Sequence, residues 1–216
     1  MNQCKIKADM FITFEGIDGS GKSVQAKRCV EYLSVSHHVL HCFDPGHTAI
    51  GNAVRSILLN KEHIEMDART ELLLYAAARS QLVVEEILPF LSRGDIVISD
   101  RFYDSTTAYQ GYGRGLPLDL IDELNMIGAH DLVPDLTFII DTDMVTAADR
   151  IGIGKADRLE SESAAFKERV RDGYRRIAAQ DPRRCKLIDG NRTIDEIHTE
   201  IRNYIDNRLD ERDHIV

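Results

Sequence analysis

The stretch that most constrains this chain is Phe11-Ile12-Thr13-Phe14-Glu15 followed by Gly16-Ile17-Asp18-Gly19-Ser20-Gly21-Lys22-Ser23. The apolar run reads as a buried strand and the glycines as a tight turn. Lys22 to Leu33 reads as a helix with Ala26, Cys29, Val30 and Leu33 on one side. The turn fits G-x-x-x-x-G-K-[ST], the P-loop pattern. Glycines let backbone N–H groups curl round phosphate oxygens with no Cβ in the way. The helix N-terminus adds partial positive charge at the same point. Lys22 supplies a full cation for the outer phosphates, and the Ser23 hydroxyl a ligand for Mg²⁺. A glycine turn with a surface lysine is the bland alternative; a strand before it and a helix after it argue against that.

Strand and helix signals then alternate. Val39 to Phe43 predicts a short strand ending at the turn Asp44-Pro45-Gly46, and Ile50, Val54, Ile57 and Leu58 follow at helical spacing. Asp67 can cap a long helix towards Pro89, whose middle, Leu72 to Ala78, is apolar nearly all round and so predicts burial. Ile96 to Ser99 predicts a third strand with Asp100-Arg101 at its C-terminal end, and Pro117 opens a helix with Leu118, Ile121, Leu124 and Ile127 inward. Leu136 to Ile140 reads as a fourth strand, followed by a helix from about Thr142 to Ile151 and a glycine-rich, mobile-looking Gly152-Ile153-Gly154-Lys155. Ser161 or Ser163 caps a helix aligning Phe166, Val170, Tyr174 and Ile177. Cys185 to Ile188 is a fifth strand, and Thr193 with Glu196 makes a capping box for a last helix. The alternation predicts an α/β fold, a five-stranded parallel sheet with helices on both faces. Ligands of such sheets bind beyond the strand C-termini, where the P-loop and Asp100-Arg101 both fall.

At 216 residues the chain suits one domain, residues 1–216, with the P-loop at 16–23 and a lid at about 146–162. A net charge of −9 argues against a general nucleic-acid partner, so phosphate-binding cations must be clustered locally. The four cysteines, Cys4, Cys29, Cys42 and Cys185, form no C-x-x-C pair, which fits a reducing cytoplasm. The start lacks the apolar stretch of a signal peptide, and no apolar run is long enough to span a bilayer.

Four groups of residues carry candidate chemistry. Asp100 can hold the water shell of Mg²⁺, and Arg101 beside it can grip a phosphate through two donors; a surface salt bridge is the alternative. Tyr75 and Arg79 share a helix face, where an aromatic ring and a guanidinium can stack on a base and donate to its carbonyl edge. The same spacing suits core packing for Tyr75 and a surface role for Arg79. Thr106 and Tyr109 read as polar pocket groups or simply as a polar helix start. Arg150, Lys155 and Arg158 gather round Gly152 and Gly154, as in a lid closing on phosphates or in a solvated loop. No general base is evident. A phosphate acceptor, already ionised at neutral pH, needs none.

These residues together resemble the thymidylate kinase family of P-loop nucleoside monophosphate kinases. The most specific stretches are Phe14 to Ser23 and Asp100-Arg101-Phe102-Tyr103-Asp104-Ser105-Thr106-Thr107-Ala108-Tyr109-Gln110-Gly111, similar to the family's D-R-Y-x-x-S-x-x-A-Y-Q-G. Leu73 to Arg79 resembles L-L-F-A-A-D-R, and Asp157-Arg158-Leu159-Glu160 resembles the lid signature D-R-x-E. The resemblance implies Mg²⁺-dependent transfer from ATP to dTMP, giving ADP and dTDP, in a cytoplasmic homodimer. It implies that Asp18 bonds the acceptor's 3′-hydroxyl, Tyr75 stacks on thymine and Arg79 donates to a thymine carbonyl. Thr106 would approach the base edge, Tyr109 would sit against C2′ and disfavour ribose, and Arg101 would hold the acceptor phosphate.

There are departures. The family's R-E-P-G-G turn is Phe43-Asp44-Pro45-Gly46-His47 here, so its arginine is missing; Ala78 replaces an aspartate and Val24 a threonine. Ile151 and Ile153 stand where some members carry lid arginines. Another nucleoside monophosphate as acceptor is therefore an alternative, as is a kinase-like protein that binds nucleotide without turnover. A GTPase-type switch is disfavoured, because its guanine-reading and switch motifs are absent. Transfer between two phosphates gathers about six negative charges. Lys22, Arg101 and Mg²⁺ neutralise only part of them, so a lid cation is expected, Arg158 first and Arg150 second.

Overall fold

The computed structural model describes residues 9–152 and 157–213. Its centre is a five-stranded, all-parallel sheet in the order β2-β3-β1-β4-β5. The strands are β1 (Met10–Glu15), β2 (Val39–Phe43), β3 (Ile96–Asp100), β4 (Leu136–Asp141) and β5 (Cys185–Asp189). Side chains alternate across the sheet. Met10, Ile12 and Phe14 of β1 meet Ala26, Cys29 and Leu33 of α1 (Lys22–Leu33) and Ile197, Ile201 and Ile205 of α9 (Ile194–Asp213). Phe11 points to the other face, with Val97 and Phe102. That face is covered by α3 (Ala68–Leu82), α6 (Leu118–Ala129) and α8 (Ala164–Gln180). Both faces are thus closed, as the near-continuous apolar strands require.

Register places the site. Phe14 pairs with Asp100 on one side and Phe138 on the other, and Phe43 pairs with Asp100. The P-loop, the β2 turn and Asp100-Arg101 therefore leave the sheet together.

The caps are as the sequence indicates. Asp67 accepts from the backbone of Arg69 and Thr70, Ser163 from Phe166, and Thr193 and Glu196 exchange bonds at the start of α9. The helix begun by Asp67 runs towards Pro89, but with a π-helical stretch, Val83–Ile87, before a short α4 (Leu88–Ser92).

Two burial expectations are corrected. Leu118 and Ile127 of α6 do not face the core: Ile127 is 61% exposed. The buried face is Ile121, Asn125 and Gly128. Gly128 lets the helix approach α3 so closely that a Cβ there would lie 3.0 Å from the Ala76 carbonyl oxygen, and Asn125 is buried because Arg79 needs its amide. Nor is the α3 middle buried all round, since Leu73 is 55% exposed.

Candidate active site

The P-loop is built by backbone geometry. Ser20 N donates to the Ile17 carbonyl at 3.1 Å, and Gly21, with φ 95°, opens α1. A Cβ on Gly19 would lie 2.2 Å from the Ala147 carbonyl oxygen of α7 (Met144–Ile151), so only glycine fits there. Lys22 is buried, its Nζ 3.2 Å from Asp18 Oδ1. Burial, then the Arg101 cation, depresses its pKa, against the pull of Asp18 and Asp100.

Ser23 Oγ donates to Asp100 Oδ2, while Asp100 Oδ1 is buried with no partner among the described residues. Hydroxyl and carboxylate side by side fit Mg²⁺, which takes one or two protein oxygens and completes its shell with phosphate and water. No cluster of three His, Cys, Asp or Glu suited to a metal occurs among the described residues.

Arg101 joins this site to a second cleft. Its Nη1 donates to the Gly16 carbonyl (2.9 Å), Tyr174 Oη (3.0 Å) and Ser105 Oγ (3.1 Å). Its Nη2 donates to Asp18 Oδ1 (2.5 Å) and Tyr109 Oη (3.3 Å). Burial would raise the pKa of Asp18, but Arg101 and Lys22 outweigh it and hold the carboxylate well below its usual range. Behind Arg101, Glu15 accepts from Phe102 N (2.7 Å), Ser105 Oγ (2.5 Å) and Tyr174 Oη (3.1 Å).

The second cleft is lined by aromatic side chains and a few convergent polar and charged groups, the make-up of a small-molecule site. Asp18, Tyr75, Arg79, Arg101, Thr106 and Tyr109 all line it, so every acceptor residue expected from the sequence meets here. Arg79 is 1% exposed, its Nε bonded to Asp44 Oδ2 and its Nη2 to Thr106 Oγ1, both at 2.6 Å. Its surface-role alternative is thereby excluded. Ser23, Lys22, Arg150 and Gly19 to Gly21 line a separate, adjoining cleft with Gln25, Arg192 and Thr193.

The lid cations fall differently from expectation. Arg150, the second choice, ends α7 and donates from Nη1 to the Ser20 carbonyl at 3.2 Å, so it stands at the P-loop. Arg158, the first choice, does not. Its Nε donates to the Leu58 carbonyl at 2.7 Å, and its Nη2 lies 2.6 Å from Glu71 Oε2, an ion pair whose angle is not that of a hydrogen bond. The reason is Glu71, fully buried on α3 and already bonded to Gln110 and Arg114. Burial would raise its pKa, but the bonds from Arg114 and Gln110 outweigh it and hold the pKa low, so a charged carboxylate draws Arg158 inward. Lys155, Gly154 and Ile153 lie outside the described residues.

Sequence reasoning missed Arg55 and Gln110, which also line the acceptor cleft. Arg55 sits on the second turn of α2 (Ala49–Leu59), whose Thr48 cap follows the β2 turn, and its Nη1 returns to the Pro45 carbonyl at 2.8 Å. That cap was the available signal: it directs the start of α2 back at the turn that lacks its arginine.

With this geometry in view, comparison with known proteins is decisive. The family model "Thymidylate kinase" matches residues 14–201. The chain belongs to the thymidylate kinase family. The match spans the P-loop and the residues lining both clefts. The thymidylate kinase of Desulforudis audaxviator is 46% identical over 185 residues, covering 85% of this chain and 84% of the relative. That of Geobacter sulfurreducens is 43% identical over 210 residues, covering 94% and 99%. The crystal structure of thymidylate kinase from Ehrlichia chaffeensis is similar with a TM-score of 0.76 at 40% identity, covering 91% of this chain and 98% of that one.

Proposed function

We infer that the chain performs its family's reaction, ATP + dTMP giving ADP + dTDP. The observation that carries this reading is the junction at Arg101 and Asp18: one guanidinium ties the Gly16 carbonyl of the P-loop to Tyr109 of the acceptor cleft. A phosphate in each cleft is thereby brought to the same cation. ATP is held by Gly16, Ile17, Asp18, Gly19, Ser20, Gly21, Lys22 and Ser23, and Lys22 neutralises its outer phosphates. Ser23 and Asp100 hold Mg²⁺, which supplies further charge neutralisation. Tyr75 stacks on the thymine, Arg79 donates to its carbonyl, and Thr106 lies at the base edge. Asp18 takes the 3′-hydroxyl, and Tyr109 fills the space a 2′-hydroxyl would need.

Arg101 holds the acceptor phosphate together with Arg55, which takes over from the arginine replaced by Phe43. The acceptor oxygen is already ionised, so no base is required, and catalysis rests on positioning and charge stabilisation. Arg150 supplies the cation that stabilises charge on the transferred group, in place of Arg158. A cytoplasmic setting suits Cys29, Cys42 and Cys185, all buried free thiols. No described helix is long and apolar enough to cross a membrane.

The test is product formation: with ATP, Mg²⁺ and dTMP, dTDP and ADP should appear in equal amounts. Lys22→Ala should abolish both while leaving the melting curve unchanged. Turnover near wild type in that variant would remove the P-loop assignment.

A further inference from the structure

We propose that Asp44 is a positioning residue for base selection, fixing the guanidinium of Arg79 against the acceptor base. The inference rests on the reading of Arg79 as the residue that donates to that base.

Asp44 is the first residue after β2, and its backbone N donates to the Asp100 carbonyl at 3.1 Å, extending the β2–β3 ladder. The sheet therefore fixes where its carboxylate stands. Oδ2 accepts from Arg79 Nε at 2.6 Å, and both side chains are 1% exposed. Two further partners complete the clamp. Asn125 Oδ1 accepts from Nη1 at 3.1 Å and Thr106 Oγ1 from Nη2 at 2.6 Å, while the Phe102 ring lies 5.5 Å beneath the guanidinium carbon.

A guanidinium has five N–H donors. Three are spent on these bonds, which leaves one on each Nη. Asp44, Arg79 and Thr106 all line the acceptor cleft. With Nε held by Asp44, the guanidinium plane cannot turn, and the two remaining donors keep one fixed orientation. A base with a carbonyl on the facing edge satisfies them; one with an amino group there leaves a buried donor against a donor. Rejection of that kind is strong only where the donor cannot swing aside.

The pair is a poor stabilising device. Burying two charges carries a desolvation penalty that close pairing offsets only partly, and Asp44 Oδ1 is buried with no partner among the described residues. Orientation of Arg79 accounts for its presence better than fold stability does.

Steady-state kinetics with dTMP and dCMP test this on Asp44→Asn, which keeps an acceptor for Nε but removes the charge, and on Arg79→Lys as reference. Asp44→Asn should raise KM for dTMP by about tenfold or more and narrow the preference for dTMP over dCMP. KM for ATP should be unchanged, and Asp44→Glu should recover most of both losses. Should Asp44→Asn not fold, as judged by its melting curve, Asp44→Ser is measured instead. If a folded Asp44 variant kept the wild-type KM and base preference while Arg79→Lys lost them, the proposal would be overturned. If Arg79→Lys itself kept both, the assignment of Arg79 to the base would fail first, and the role of Asp44 with it.

Discussion

Arg101 has φ 71°, a backbone region that residues with a Cβ seldom occupy. The strain is held by its surroundings: its N donates to the Phe14 carbonyl at 2.9 Å, and its side chain has five polar partners. Such strain at the junction of two clefts fits a residue kept for position. Glu15 lies directly behind it. Burial, then the neighbouring Asp104 carboxylate, pushes its pKa from 4.5 up to about 8. The folded state therefore binds a proton that the unfolded state releases above pH 4.5. This contribution is complete below about 4.5, shrinks as pH rises, and is gone above about 8. Glu15→Gln removes the dependence. Its melting temperature relative to wild type should rise between pH 5 and pH 8; a difference independent of pH would show that Glu15 is ionised in the fold. Residues of this kind are poorly legible in sequence. Lys22, Ser23 and Asp100 declare themselves by motif, whereas the raised pKa of Glu15 comes first from burial by the fold and then from Asp104, 89 positions away.

At the scale of elements, the two arginines that flank the expected lid segment have different attachments. Arg150 on α7 is bonded at the P-loop, and Arg158 is anchored to the end of α2 and to α3 through Leu58 and Glu71. The two arginines should therefore fail differently. Arg150→Ala is expected to lower kcat on the order of a hundredfold, as loss of a charge-stabilising donor does, with little change in melting temperature. Arg158→Ala, which removes one partner of the buried Glu71 carboxylate but leaves Arg114 and Gln110, is expected to cost about 2 kcal/mol of stability. Single-turnover rates and melting curves separate the two. A rate loss in Arg158→Ala exceeding that in Arg150→Ala would restore Arg158 as the lid cation.

The elements themselves were readable, because alternating apolar runs, caps and turns are local signals: Val39–Phe43 and Lys22–Leu33 have the bounds that their patterns predict. The place of Arg158 was not, since it depends on Glu71, a buried carboxylate far along the chain.

At the scale of the molecule, the helix from Ala68 to Ser92 carries an exposed stripe, Leu73, Ala77, Val84 and Leu88, and α6 beside it exposes Ile127. Spacing of this kind normally marks a core face, so this exposed stripe is where the homodimer that the family resemblance implies would be expected to form. Leu73→Asp should shift the protein from dimer to monomer in sedimentation; an unchanged dimer would place the interface elsewhere.

Tyr75, Arg79, Thr106 and Tyr109, from two separate segments, line one cleft together with Asp18 and Arg101. Under the proposed function this cleft selects a deoxyribose pyrimidine carrying carbonyl groups. The most direct measurement is kcat/KM, by coupled ADP release, across dTMP, dUMP, UMP, CMP, AMP and GMP. dTMP should give the highest value, and UMP should fall well below dUMP through the proposed exclusion of the 2′-hydroxyl by Tyr109. A higher value for AMP or GMP than for dTMP would contradict that selection.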